Sequence, residues 1–249
     1  MYKLFSLLLT LPLLASCGGQ YNIAGNSSVP SLDGRMLYLR ATPDGLLQAT
    51  AQTEASHCID SCKVVHGRFS FIGDVDSVMM AMLFTGNQCV MPVVIENGRL
   101  NVQVDNVAQR VSGGPLNDKL YKFFQHKNRL ENEMWELQQK SIRMLRGGKT
   151  PEEIQRKVGK RAQQLAERAE ALETAFVMEN YDNVLGPGFF MMMCSQYPTP
   201  IMTEQISRIV NNAPACFMSD PFVHSYVRQA RARAGYMQKP SHHPCKTGE

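Results

Sequence analysis

The sequence predicts an α+β protein, in which an N-terminal antiparallel β-sandwich or open barrel is followed by a long antiparallel helical hairpin and short helices. Two observations lead to this prediction. Short runs of β-branched and aromatic residues, separated by turn residues, recur as far as Gly113-Gly114-Pro115. Beyond that point, long charged stretches carry apolar residues three and four positions apart, as amphipathic helices do. Residues 21–116 and 117–236 are therefore predicted to form two domains.

The strands predicted in the first domain are short and regularly spaced. Their β-branched and aromatic residues fit a pleated surface that is buried on one side. Many short strands with turn residues between them are typical of sandwiches and barrels. The predicted strands span residues 21–25, 36–41, 59–65, 68–72, 78–84, 91–96, 99–104 and 107–112.

Two dipeptides in this domain predict tight turns. Asn97-Gly98 lies between two apolar runs, and Asn-Gly favours a two-residue hairpin because both central positions need a positive φ. His66-Gly67 predicts a second tight connection.

A first long helix is predicted over residues 117–145, and it ends before Gly147-Gly148. Lys127 and Ser141 interrupt its apolar seam. A seam of this kind needs a partner surface, and the next helix supplies one. The seam consists of Leu116, Leu120, Phe123, Leu130, Met134, Leu137 and Met144.

The second helix is predicted to begin at Thr150-Pro151. Thr150 is a capping residue, Pro151 suits the first helical position, and Glu153 completes a capping box. Two long helices with a tight link predict an antiparallel hairpin, in which each arm is roughly 40 Å long. The second seam is Ile154, Val158, Leu165, Ala169, Leu172 and Phe176, and shorter helices are predicted over 189–196, 203–212 and 222–234.

Several short motifs follow one another in the first domain, and their order and spacing resemble those of a known protein family. They are Asn22-Ile23-Ala24-Gly25, Tyr38-Leu39, Ile59-Asp60-Ser61, Gly67-Arg68-Phe69-Ser70-Phe71-Ile72-Gly73, Pro92-Val93-Val94-Ile95-Glu96-Asn97-Gly98, Ser112-Gly113 and Pro115-Leu116-Asn117-Asp118. Over roughly residues 20–125 this order resembles domain of unknown function 4369 (DUF4369). The resemblance implies a β domain of lipoproteins from anaerobic Gram-negative bacteria, often followed by a thioredoxin-like domain. The sequence holds no Cys-x-x-Cys pair, so we expect the redox domain to be missing, and the resemblance supplies no catalytic residue.

The start of the chain predicts export and lipidation. Residues 1–16 have a basic start, an apolar run over 4–14 and two small residues before Cys17. This apolar run is too short to span a membrane. We therefore expect a lipoprotein signal peptide, an acyl group such as palmitate on Cys17, and a tether over 17–20. Cys17 beside an ordinary secretory cleavage site is the alternative. The expected location is the cell membrane or the outer membrane, facing the periplasm.

The remaining cysteines are interpreted as possible disulfides or free thiols. An exported protein permits disulfides, but the pairing does not follow from sequence. On a regular strand Cys58 and Cys62 would share a face about 13 Å apart, too far for a disulfide or for one zinc ion, whereas a helical turn or a bulge there would allow both. A cross-strand disulfide to Cys89 is one alternative and a buried thiol is another. The six residues are Cys58, Cys62, Cys89, Cys194, Cys216 and Cys245.

Two clusters contain residue types that bind metals. The first consists of His57, Cys58, Cys62 and His66, and the second of His242, His243 and Cys245. Neither has the spacing of a structural zinc site, so no metal is expected. The second cluster lies in the tail over 237–249, which is predicted to be disordered, and Cys245 is its candidate exposed thiol.

The tip of the predicted hairpin is basic. Only Glu152 and Glu153 oppose its positive charges. The charges indicate either contact with anionic lipid head groups or an acidic envelope polymer, or an ordinary solvated helix face. An exported protein is not expected to bind nucleic acid. The possible contact surface is Lys140, Arg143, Arg146, Lys149, Arg156, Lys157, Lys160 and Arg161.

No serine-nucleophile elbow, phosphate-binding loop or metalloprotease helix occurs in the sequence, so no catalytic residue and no cofactor are assigned. The first functional interpretation is a non-catalytic binding or scaffolding module. Such a module would be held at the membrane by the lipid on Cys17 and would bind an unknown envelope protein or polymer. The alternative is an accessory of a thiol-disulfide redox system. The third interpretation is a site for a small ligand or a metal, located where the β domain meets the helices.

Overall fold

The computed structural model of the chain describes residues 19–41, 58–106 and 108–237. The predicted signal peptide with Cys17 lies outside the described residues. So do His57 and the segment after residue 237, which contains His242, His243 and Cys245. The predictions for these residues stay predictions.

The first part of the chain forms two four-stranded sheets, which confirms the α+β class. The strand order is β4-β1-β7-β8 in the first sheet and β3-β2-β5-β6 in the second. All pairs are antiparallel except β1 with β7, which is parallel. The strands are β1 (Gly19–Ser27), β2 (Met36–Ala41), β3 (Cys58–Lys63), β4 (Arg68–Val75), β5 (Met79–Thr85), β6 (Gln88–Ile95), β7 (Gly98–Val104) and β8 (Gln109–Ser112).

Burial along the strands shows which faces are covered. On β7, Leu100, Val102 and Val104 are buried and alternate with exposed residues, as in a strand with one solvated face. On β5, by contrast, every residue from Met80 to Phe84 is buried. The strand β5 is therefore covered on both faces, whereas β7 is covered on one.

The prediction for Asn97-Gly98 is wrong. This dipeptide connects β6 to β7, and these strands lie in different sheets and are not paired. Gly98 has a φ of 110°, but Asn97 is not among the residues with positive φ, whereas the predicted turn needs both. The dipeptide instead carries the chain from the second sheet to the first.

The tight turn predicted at His66-Gly67 is confirmed. His66 has a φ of 50° and Gly67 a φ of 70°, the positive values that a two-residue turn requires. The backbone groups of Val65 and Arg68 exchange hydrogen bonds of 2.9 and 3.0 Å across it. The turn carries the chain from β3 in one sheet to β4 in the other.

The second part of the chain contains the predicted hairpin and short helices. Its first arm is one uninterrupted helix, and its second arm includes one wide π turn over Gln155–Gly159. The last helix reaches Met237, one residue into the segment that was predicted to be disordered. The helices are α1 (Pro115–Arg146), α2 (Pro151–Ile154), α3 (Lys160–Met178), α4 (Leu185–Cys194), α5 (Glu204–Asn211), α6 (Ala215–Met218) and α7 (Pro221–Met237).

Local hydrogen bonds stabilise the hairpin where the sequence predicted. At the start of α2, Thr150 and Glu153 form the reciprocal capping box. The two polar interruptions of the α1 seam are also satisfied. The Nζ of Lys127 lies 2.7 Å from the Oε1 of Glu173 on α3, and the Ser141 hydroxyl donates to the carbonyl of Leu137 at 2.9 Å.

One hydrophobic cluster runs through both parts of the chain. It begins with Tyr21 and Ile23 on β1 and extends to Val227 and Ala230 on α7. Phe189 and Phe190 of α4 are buried inside it. The sheets and the base of the helical part therefore share one core, and the division into two domains stays a prediction.

Candidate functional site

The helical hairpin is joined to the β domain by a buried carboxylate. Glu96 directly follows β6 and is 5% exposed. Its Oε1 accepts a hydrogen bond from the backbone N–H of Asn117 at 3.0 Å, and its Oε2 accepts one from Leu116 at 3.3 Å. The first N–H groups of a helix lack intrahelical partners and lie at its positive end. Glu96 therefore caps α1 from a different secondary-structure element.

Asn117 completes this joint with its side chain, which is fully buried. Its Nδ2 donates to Glu96 Oε1 and to the carbonyl of Val94, both at 2.8 Å. Its Oδ1 accepts from the N–H of Val94 at 2.9 Å. The amide group therefore pairs with β6 as a neighbouring strand would, and it fixes the start of α1 to the sheet.

Sequence reasoning missed this joint, although one signal for it exists. Gly114 precedes the helix and has no side chain, so it cannot cap α1 itself. Any side-chain cap of α1 therefore has to come from another residue. The structure shows why glycine is there: a Cβ at Gly114 would overlap the carboxylate of Glu96.

Beyond the joint, the hairpin projects from the core. The fully buried residues of α1 all lie between Asn117 and Phe123. With 32 residues, α1 is about 48 Å long, so about two thirds of it lies past Phe123. At the base, Phe123 stacks on Phe176 of α3 at 4.0 Å and meets the edge of Phe189 at 4.7 Å. This aromatic cluster and the joint hold the hairpin at one end only.

The predicted basic surface lies on the distal part of the hairpin. All of its residues are exposed. Lys149 forms a salt bridge of 3.4 Å with Glu153, and Arg161 pairs with Glu133 of the other arm. Within the described ranges, no salt bridge involves Lys140 or its neighbours in the surface other than these two. The surface consists of Lys140, Arg143, Arg146, Lys149, Arg156, Lys157, Lys160 and Arg161.

A row of exposed apolar side chains lies on the same part of α1. Trp135 is 60% exposed, Ile142 42% and Leu145 58%. Trp135 is the only tryptophan of the chain. This row, which we call the Trp135 stripe, is not among the functional residues predicted from the sequence. Its signal was the spacing of seven and three residues, which places all three on one helix face.

The prediction that Cys58 and Cys62 share a strand face is wrong. Cys62 pairs with Leu37 on β2, but Cys58 pairs with Arg40, because Ile59 is an extra residue in β3. This bulge leaves three ladder steps between the cysteines, which places them on opposite faces about 10 Å apart. That separation is too large for a disulfide or for shared zinc ligation.

The suggested disulfide between this strand and Cys89 is excluded as well. Cys89 lies on β6, and β3 and β6 are the opposite edges of the second sheet. All five described cysteines, which are Cys58, Cys62, Cys89, Cys194 and Cys216, are free thiols.

Three of these thiols have raised pKa values, although only Cys194 is buried, while Cys62 is half-buried and Cys89 is exposed. Desolvation by the surrounding protein raises the pKa of Cys62 to about 11 and that of Cys89 to about 11. Desolvation raises the pKa of Cys194 to about 12, although a hydrogen bond with Tyr226 partly opposes the shift. Thiolate chemistry needs a lowered pKa, so these environments do not favour it.

A cleft of about 390 Å³ lies where β5 meets the helices. Met79, Met80 and Phe222 contribute apolar surface to it, and Asp182 and Asp220 contribute carboxylates. One carboxylate oxygen of Asp220 already accepts the N–H groups of the first turn of α7. Among the described residues, no group of three metal-binding side chains comes together. The cleft is where the third interpretation would place a ligand.

Across the described ranges, no helix is long and apolar enough to cross a lipid bilayer. No curated protein matches the chain. A family model described as "Domain of unknown function (DUF4369)" matches residues 21–120. The match includes Glu96 and Asn117 and stops just past the joint, so the distal hairpin with the Trp135 stripe lies outside it. Residues 21–120 therefore match the DUF4369 family, which confirms the resemblance drawn from the sequence motifs.

Proposed function

We propose that this protein is a lipid-anchored binding or scaffolding module of the cell envelope, and that its hairpin is the element that contacts a partner. The observation that carries the proposal is the projection of α1. The helix is fixed at its base by Glu96 and Asn117, while its distal part exposes the basic surface and the Trp135 stripe. A rigid base with an exposed far end suits a contact element.

The position of the proposed anchor supports this arrangement. β1 begins at Gly19, two residues after Cys17, and two extended residues span only about 7 Å. The N–H of Gln20 donates to the side chain of Asn97 at 3.1 Å, and Asn97 directly follows Glu96. The first described residues of the chain therefore lie beside the base of the hairpin. A lipid on Cys17 would place that base at the membrane surface.

The anchor is tested by the mass of the intact protein. Full-length protein is isolated from native membranes, alkylated without reductant, and weighed. We expect cleavage before Cys17, the mass of an acylated cysteine, and loss of membrane retention in Cys17→Ser. A mature chain without lipid would overturn the anchor.

The contact role is tested by crosslinking in cells. A photo-reactive residue at Gln138, within the Trp135 stripe, is expected to give adducts with envelope components. The matched control is the same residue at Ile72, which is 59% exposed on the first sheet. Equal adducts at both positions, or none at Gln138, would contradict a contact role for the hairpin.

The alternative is an accessory of a thiol-disulfide redox system. Cys58 and Cys216 are exposed, and Cys245 remains a candidate outside the described residues. The raised pKa values of Cys62, Cys89 and Cys194 weigh against it. The intact mass of the alkylated protein distinguishes the two proposals. A mixed disulfide on Cys58, Cys216 or Cys245 would favour the redox alternative.

A further inference from the structure

We propose that the distal part of the hairpin binds the surface of an anionic lipid bilayer, with the Trp135 stripe in the interface and the basic surface on the head groups. This inference rests on the proposed function in one respect, which is that the hairpin is the contact element. It adds the chemical nature of what the hairpin contacts.

The Trp135 stripe lies on one side of α1 and is not covered by the second arm of the hairpin. Seven residues are nearly two helical turns, so Trp135 and Ile142 lie above one another, and Leu145 follows one turn later. The other apolar seam of α1 faces the second arm, where Val158 and Leu165 are buried. The Trp135 stripe is therefore a second apolar face, left uncovered by the described residues of the chain.

Three positively charged residues on the same part of α1 are available to anionic head groups. Arg146 lies one turn after Ile142 on the side of α1 that carries the stripe, whereas Arg143 lies on the adjoining side and Lys140 on the opposite side. All three are exposed, and none of them forms a salt bridge with another described residue. A tryptophan and aliphatic residues on one side of a helix, with lysine and arginine on its other sides, are typical of helices that lie in the membrane interface.

These features favour a lipid surface over the other possible occupants. A second copy of the chain would bring the same basic surface against this one, and like charges repel. An acidic polymer would attract the basic residues but has no apolar interior for Trp135, Ile142 and Leu145. An anionic bilayer offers both head-group charge and an apolar layer beneath it.

The place of the stripe on the helix agrees with the proposed anchor. The stripe runs along the side of α1 over about 15 Å, from Trp135 to Leu145 near the hairpin tip. A helix whose base is held at a membrane can bring such a side to the same membrane by lying along it. The anchor and the stripe would then contact one surface.

Because Trp135 is the only tryptophan, its emission reports on the stripe directly. The natural mature protein is mixed with vesicles of phosphatidylcholine alone, or of phosphatidylcholine and phosphatidylglycerol in equal parts. We expect the emission to move to shorter wavelength, and iodide quenching to fall, only with the anionic vesicles. An acyl chain on Cys17 would hold the protein on both kinds of vesicle, so the emission reports stripe insertion rather than anchoring.

The charges are tested with Lys140→Gln, Arg143→Gln and Arg146→Gln combined, which leaves the reporter in place. Each removed charge is expected to weaken insertion roughly fivefold, or roughly 100-fold for all three. The matched control combines Arg228→Gln, Arg231→Gln and Arg233→Gln, which are exposed on α7. Circular dichroism confirms that both variants are folded.

Three outcomes would overturn the inference. Trp135 emission that stays unchanged on anionic vesicles would exclude insertion. Equal losses in the two triple variants would show that net charge matters and the stripe does not. A shift that grows with protein concentration without vesicles would indicate pairing of two copies. A mature chain without lipid would remove the anchor and leave this emission test intact, so the two proposals fail separately.

Discussion

The buried carboxylate of Glu96 accepts hydrogen bonds from both the backbone nitrogen and the side-chain nitrogen of Asn117, at 3.0 and 2.8 Å. The two residues are separated in sequence by β7 and β8, which belong to the other sheet. The contact therefore ties the end of β6 to the first turn of α1. Because α1 is a single continuous helix, this joint also helps to set the direction in which the distal hairpin points.

Replacing Asn117 is expected to destabilise the protein. Asn117→Ala leaves the N–H and C=O of Val94 without their side-chain partner and removes one donor from Glu96. Unpaired buried polar groups cost about 1–3 kcal/mol each, so we expect the free energy of unfolding to fall by about 2–4 kcal/mol. Urea unfolding followed by circular dichroism measures it. The control is Asn101→Ala, at an exposed position of β7, and equal losses in both variants would contradict the joint.

Adding a methyl group at Gly114 is expected to disturb the same joint. The φ of Gly114 is −141°, which alanine adopts freely, so any cost of Gly114→Ala comes from overlap with the Glu96 carboxylate. We expect a loss of about 1–3 kcal/mol in the free energy of unfolding. Gly147→Ala, at the other end of α1, is the control. Its nearest contacts would be ordinary at 3.4 Å, and a larger loss there would contradict the argument.

The Lys127 ion pair predicts a pH dependence. Burial lowers the pKa of Lys127, but its hydrogen bonds and charge interactions with Glu131 and Glu173 outweigh burial, and the net shift is upward. A raised lysine pKa stabilises the fold below the ordinary value near 10.4 and loses its effect as the pH rises through the folded value. Stability is compared by urea unfolding between about pH 8 and pH 12.

We therefore expect wild type to lose its advantage over Lys127→Met as the pH rises through that range. Only the difference between the two proteins is informative, because tyrosines and cysteines also titrate there. Lys122→Met, at an exposed position of α1, is the control. A constant difference between wild type and Lys127→Met across the range would show that the charge of Lys127 does not contribute.

The thiols are expected to react with iodoacetamide in two groups. At pH 8 a thiol of pKa about 11 is roughly 0.1% thiolate, so Cys62 and Cys89 should label slowly, and buried Cys194 more slowly still. Cys58, Cys89 and Cys216 are all exposed, but desolvation raises the pKa of Cys89, so Cys58 and Cys216 should label first. Peptide mass spectra over time measure each rate. In urea all five should label quickly, and fast labelling of Cys194 without urea would contradict its buried position.

Much of the fold follows from local patterns. Strand alternation, the two helical seams and the Thr150–Glu153 capping box each depend on residues a few positions apart, so the sequence was enough to predict them. The same holds for the turn at His66-Gly67. The eight basic residues were also predicted as one surface, because helical spacing alone brings them to the hairpin tip. The resemblance to DUF4369 was drawn from similarly local motifs, taken in order, and the family model matches residues 21–120.

The relations that tertiary structure decided join distant residues. Whether Asn97-Gly98 closes a hairpin depends on which strands pair, and β7 pairs with β1 and β8 instead of β6. The faces of Cys58 and Cys62 depend on one extra residue in β3, which local alternation does not reveal.

The candidate site, too, was only partly predictable from the sequence. The spacing of Trp135, Ile142 and Leu145 is visible in the sequence, but their exposure is not, because α1 has two apolar faces and only packing decides which one the second arm covers. The partnership of Glu96 with Asn117 is likewise absent from any local pattern. Sequence by itself determined the elements and the charge of this protein. Tertiary structure decided which strands pair, how the hairpin is fixed, and which apolar face remains exposed, since each of these is a contact between residues far apart in the chain.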